Sequence, residues 1–104
     1  MTNIASNACP TLTVSDWVVV QYINNMYPAQ ILVVEDEGIV ADCMQECFVG
    51  RNSYRWPQLR DNKTLFPFSD VLCKIAPPIV QPNNRRSAMS LLDEDFEKAR
   101  DMLS

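Results

Sequence analysis

The sequence predicts a small all-β fold, a five-stranded barrel followed by a C-terminal helix. Three observations carry that expectation. Trp17-Val-Val-Val-Gln-Tyr22 and Tyr27-Pro-Ala-Gln-Ile-Leu-Val-Val34 are runs dense in β-branched and aromatic residues, which favour strands. Between them, Asn24-Asn25 supplies side chains that tolerate positive φ, as a two-residue hairpin turn demands. The second run ends in Glu35-Asp-Glu-Gly38, an acidic reversal closed by glycine. Trp17–Ile23 is therefore expected to pair with Met26–Val34, and the hairpin brings Tyr22 and Tyr27 together at one end.

The remaining strands follow in order. In Ile39-Val-Ala-Asp-Cys-Met44, Asp42 prefers water, so Ile39, Ala41 and Cys43 face the core. Phe48 to Tyr54 holds a long reversal around Gly50. Tyr54-Arg-Trp56 is a short fourth strand, ended by Pro57 because proline cannot donate to a ladder. Leu65–Ile75 closes the fold, with a turn at Ser69-Asp70 before the last strand. Five short strands are too few for a sandwich and each hairpin is unstable alone. A bent sheet closed on itself is the economical solution. Its expected core is Val18, Val20, Ile31, Val33, Ile39, Ala41 and Leu72. Trp17 is out of phase with Val18 and Val20 and faces away, where it can cover a barrel end or receive a helix. Trp56 either stacks on a ligand or plugs the open end.

The flanks read differently. Residues 1–12 form a polar leader, expected to be mobile. The barrel occupies 13–76. Residues 77–86 are proline-spaced, which favours extended chain. Residues 87–104 are helical, with Ser90 and Asp93 at capping-box spacing. Leu92, Phe96, Ala99 and Leu103 make a one-sided stripe on that helix. A lone helix this short is marginal in water, so the stripe must dock. It covers the barrel's own surface, near Trp17, or it is a partner-binding face of Leu92, Phe96 and Leu103 for another protein or a second copy of the chain. The stripe runs to the last residues, as in a chain that continues in a longer protein.

Composition excludes several function classes. The chain has 104 residues, enough for one domain, and 47% of them are hydrophobic. A net charge of −4 argues against a general nucleic-acid binder. Only Arg51, Arg55, Arg60 and Lys63 form a local basic arc, the basis of a weak nucleic-acid alternative. Two glycines rule out a glycine-rich phosphate loop. With no histidine, the common nucleophile pairs and the commonest general base are missing, and the carboxylates Asp93, Glu94, Asp95 and Glu97 read as a solvated helix face. No catalytic residue and no cofactor is expected. The four cysteines, Cys9, Cys43, Cys47 and Cys73, lack the paired clusters of a zinc site. No metal is expected, and the cysteines read as small buried hydrophobes. The first twelve residues lack a signal-peptide pattern and no apolar run is long enough for a membrane span. An intracellular protein with free thiols is expected.

Two resemblances stand on these residues. Ser15-Asp-Trp-Val-Val-Val-Gln-Tyr22, Tyr27-Pro-Ala-Gln-Ile31 and Phe68-Ser-Asp-Val-Leu72 resemble the Tudor domain, an SH3-like barrel. That family opens with Gly-Asp and a hydrophobic strand ending in an aromatic, then continues with Tyr-Pro-Ala-x-Ile. The chain is also similar to an uncharacterised module of animal transposon-derived proteins, through Trp17, Tyr22, Tyr27-Pro28, Met44 and Trp56-Pro57. Either resemblance covers roughly 13–78. The Tudor resemblance implies an aromatic cage for a methylated lysine or arginine, since ring faces attract a weakly hydrated cation. Tyr22 matches the first cage position and Tyr27 the second. The third-strand aromatic is replaced by Cys43-Met44, so further rings must come from Phe48, Tyr54 or Trp56, with Phe48 and Trp56 the expected pair. The implied function is a non-catalytic tethering module with a protein or peptide partner, in nuclear chromatin- or RNA-associated machinery.

Overall fold

The chain enters its first strand through a turn closed by a carboxylate. The Thr13 amide donates to Asp16 Oδ2 at 2.9 Å, and the Asp16 amide donates back to the Thr13 carbonyl at 3.1 Å. Ser15, between them, has φ 78°, a conformation that favours glycine. The Ser15 amide then bonds the Ile31 carbonyl at 2.8 Å, fixing the turn to the sheet. Asp16 also pairs with Lys74 at 3.2 Å. The Thr13 amide, with help from Lys74, holds the Asp16 carboxyl below its ordinary value of 3.8. A depressed carboxyl stabilises the fold above the unfolded-state pKa and loses that effect as pH falls through the folded-state value. Asp16→Asn is therefore expected to lower Tm at neutral pH, with the gap to wild type closing on acidification below 3.8. Thermal melts of the two proteins across pH check this.

The computed structural model describes residues 11–47, 51–57, 63–80 and 88–103. They form β1 (Trp17–Tyr22), β2 (Asn25–Val34), β3 (Gly38–Cys43), β4 (Gln45–Glu46), β5 (Tyr54–Arg55), β6 (Lys63–Pro67), a 3₁₀ turn (Phe68–Asp70), β7 (Val71–Ile75), β8 (Ile79–Val80), β9 (Met89–Ser90) and α1 (Asp93–Met102). The larger sheet has the order β6-β3-β2-β1-β7 and the smaller one β4-β5-β9-β8. All their pairings are antiparallel. The fold is thus mostly β with one C-terminal helix, as the sequence predicts, but it is two sheets and not a closed barrel. The edge strands β6 and β7 are joined by the 3₁₀ turn alone. That link is short enough to force the sheet to curl. No ladder joins the two edges among the described residues.

Several expected details are corrected. The hairpin turn is Ile23-Asn24, with φ 46° and 64°, one residue earlier than Asn24-Asn25. Val20 pairs with Tyr27 and Tyr22 with Asn25. Moving a two-residue turn by one position shifts the ladder by two residues, so every side chain keeps the face that the alternation assigns it. Tyr54–Arg55 joins the small sheet, and the fourth strand of the large one is Lys63–Pro67. Val33, assigned to the core, is 46% exposed, because the β2–β3 register shifts between Ile31 and Val33 and turns it outward.

The large sheet buries both faces. Val18, Val20, Ala29, Ile31, Ile39, Ala41 and Phe66 pack on one of them. Phe66 of one edge strand and Val71 of the other reach this same cluster, so the sheet curls around it, and we call this the inner face. Leu12, assigned to the leader, also packs there. Residues 1–10 lie outside the described residues. The outer face carries Val19, Met26, Leu72 and Ile75 and is covered by Tyr54, Leu91 and α1. Leu72 therefore belongs to the outer cluster, and Val18, Val19 and Val20 are all fully buried.

The C-terminal segment differs in its start. Met89–Ser90 is a strand, and α1 begins after Leu92 with no side-chain cap, so the Ser90–Asp93 capping box does not form. Ile79–Val80, in the expected linker, forms β8, while 81–87 lie outside the described residues. Asp95, expected on the solvated face, is buried and accepts the Ala76 amide at 3.1 Å. It ties the first turn of α1 to the end of β7. Asn52 makes the second tie. Its side chain donates to the Leu91 carbonyl at 2.7 Å and accepts the Leu91 amide at 2.8 Å. Tyr54 pairs with Met89, so the Asn52 amide extends that ladder in the place of main chain. Among the described residues, no helix is long and apolar enough to cross a membrane.

Candidate functional site

At the hairpin end of the inner face, the curled sheet leaves a cleft of about 340 Å³ lined by Tyr22, Tyr27, Cys43, Met44, Gln45, Thr64 and Phe66. That volume lies within the range of small-ligand and side-chain pockets. Strand alternation places the lining. Tyr22 follows Val18 and Val20, Tyr27 precedes Ala29, Cys43 follows Ile39 and Ala41, and Thr64 and Phe66 pair with Ala41 and Ile39. All five side chains therefore share the inner face. Tyr22 and Tyr27 are diagonal neighbours across the hairpin. Tyr22 is 56% exposed and Phe66 only 5%, which makes Tyr22 a wall and Phe66 the floor.

The chemistry of the lining is apolar and neutral. Burial, reinforced by the charge of Asp42, pushes the Cys43 thiol up to about 12. It stays protonated at neutral pH, and its Sγ–H donates to the Met44 carbonyl at 3.4 Å. Gln45 pairs with Arg55 across β4–β5. With its amide oriented by hydrogen bonding, the Gln45 oxygen accepts Arg55 Nε at 3.0 Å and an Nη at 3.3 Å. No Asp or Glu lines the cleft among the described residues. Cys43, Cys47 and Cys73 are free thiols, and burial raises Cys73 as well. No group of three or more His, Cys, Asp or Glu is arranged to hold a metal among the described residues.

Of the four residues predicted to form the binding site, Tyr22 and Tyr27 meet in this cleft. Trp56 does not join them. It packs on Trp17 with ring centroids 5.7 Å apart, against the outer cluster beneath α1. The correction follows from Tyr54–Arg55 belonging to the small sheet, which carries the next residue to the helix side. Trp17 faces away from the inner core, as its phase predicts. Phe48 lies outside the described residues. Phe66 is the ring that sequence reasoning missed. Its signal was present in the alternation of Thr64, Leu65 and Phe66 opposite β3.

The helix stripe is used within the chain. Phe96 and Leu103 pack against the outer cluster, with Ala99 fully buried in it. Of the two expectations for the stripe, docking on the chain's own surface describes Phe96 and Leu103, which share the outer cluster with Trp17. Arg55 lies in the small sheet and bonds Gln45, Lys63 lies on β6 opposite Asp42, and Arg60 is outside the described residues. No family model, curated protein or solved structure matches the chain.

Proposed function

We propose that this chain is a non-catalytic interaction module that seats one side chain of an extended partner peptide in the Tyr22–Tyr27–Phe66 cleft. The cleft itself carries the reading. Three aromatic rings and two sulfur-bearing residues converge there, and its ionisable lining groups include a thiol held neutral. Such a lining recognises apolar or weakly hydrated groups and offers little to acid–base chemistry. The resemblance of these residues to the SH3-like Tudor domain supports the same reading. The strand order places β7 beside β1 after a 3₁₀ turn, and Ser15-Asp16 occupies a turn suited to the family's Gly-Asp. A chromatin- or RNA-associated, nuclear setting belongs to this proposal through the resemblance alone.

Tyr22→Ala and Tyr27→Ala are each expected to weaken peptide binding about tenfold, as loss of an aromatic anchor does, while the protein stays folded. Titration of capped peptides bearing Arg, Lys, their methylated forms or an apolar residue, followed by amide NMR shifts, checks this. A homodimer built on α1 would instead show shifts on the helix with increasing protein concentration. Phe96 and Leu103 already pack within the chain, so that alternative has less surface to use.

A further inference from the structure

We infer that the cleft takes an uncharged apolar side chain, not a methylated cation, and that Ile23 at the hairpin tip holds a second apolar residue of the same peptide. This rests on the cleft being a peptide site. Two independent observations lead to it.

The first is charge. Buried charges are ordinarily paired, and ring faces alone supply about 2 kcal/mol or somewhat more once desolvated. Among the described residues, the carboxylates that adjoin the lining in sequence, Asp42 and Glu46, serve other faces. Asp42 alternates with Ala41 and Cys43 and lies in register with Gln30 and Lys63, on the outer side of β3. Glu46 lines a separate cavity of about 80 Å³ with Met26, Tyr54 and Phe96 on the helix side. One ionic group bonded directly to a lining side chain is the Arg55 guanidinium on Gln45. A positive ligand would approach a like charge.

The second observation is Ile23. Its φ of 46° is a left-handed conformation in which a β-branched residue is an outlier and glycine or asparagine is preferred. It is 71% exposed, so it packs little within its own fold. Strain retained without internal benefit points to use at an interface. Ile23 follows Tyr22 in the chain, and both are exposed at the hairpin tip next to the cleft wall, at 71% and 56%. In an extended peptide, side chains two residues apart point the same way, about 6.6 Å apart. One can enter the cleft while the other rests on Ile23.

The test uses two capped peptides identical except at one residue. One carries trimethyllysine and the other its neutral isostere, with a tert-butyl group in place of trimethylammonium. Both carry Leu two positions on. Amide NMR titration of the full chain is expected to show the neutral peptide binding at least about threefold tighter. Ile23→Gly is expected to raise Tm by about 5 °C, by relieving strain, and to weaken the neutral peptide about threefold. That weakening should vanish when the peptide's Leu is replaced by Gly. Equal or tighter binding of trimethyllysine overturns the ligand assignment and leaves the peptide site standing. Unchanged binding to Ile23→Gly overturns the role of Ile23. If neither peptide moves Tyr22, Tyr27 or Phe66, the peptide-site reading falls, and this inference with it.

Discussion

Gly38→Ala is expected to destabilise the protein by about 3 kcal/mol, at the upper end for overpacking a filled site. Gly38 pairs with Pro67 across β3–β6. A Cβ on Gly38 would collide with the Phe66 carbonyl oxygen and lie 2.9 Å from Phe66 C and Pro67 Cα. All of these are backbone atoms, so no side chain can swing away. The strands must separate, and Phe66, the floor of the cleft, moves with them. Urea unfolding should show the loss, together with a fall in Tm of roughly 15 °C. A change below about 1 kcal/mol, well under the usual overpacking penalty, would mean that β3 and β6 do not approach this closely.

Asn52→Asp is expected to cost about 2 kcal/mol, because it removes one hydrogen bond and sets a carboxylate oxygen against the Leu91 carbonyl. Asn52→Ala should cost a similar amount by leaving both Leu91 backbone groups without that partner. The loss concentrates on the connection from the small sheet to α1. Amide exchange at Leu91 should accelerate in both variants beyond the global change. Equal protection of Leu91 in wild type and variants would show that the side-chain bridge does not form in solution.

Much of the large sheet was legible in the residues. Val18, Val20, Ile31, Ile39 and Ala41 alternate at the strand period and meet in one cluster. The acidic reversal before Gly38 joins the expected strands, though glycine is required there for close approach to Phe66 and not for a left-handed φ. Less of the small sheet could be read. Its strands are two residues each, at 45–46, 54–55, 79–80 and 89–90, too short for any periodicity to show. Their pairing depends on long-range ties such as Asn52 to Leu91. That sheet also decides the fate of Trp56, which is why a ring expected beside Tyr22 and Tyr27 lies beneath the helix instead. The cleft was half legible. Local sequence holds Tyr22 and Tyr27 together across one hairpin, whereas Phe66 reaches them only through the pairing of β6 with β3.

The proposed function is recognition of a peptide through the inner-face cleft. Selection from a displayed peptide library against the wild-type chain, followed by binding of the winners to the Tyr22→Ala/Tyr27→Ala double variant, tests it without assuming a ligand. Selected peptides are expected to share an apolar residue and to lose at least about tenfold in affinity for the folded double variant. Peptides that bind both proteins equally would place the contact elsewhere and contradict it.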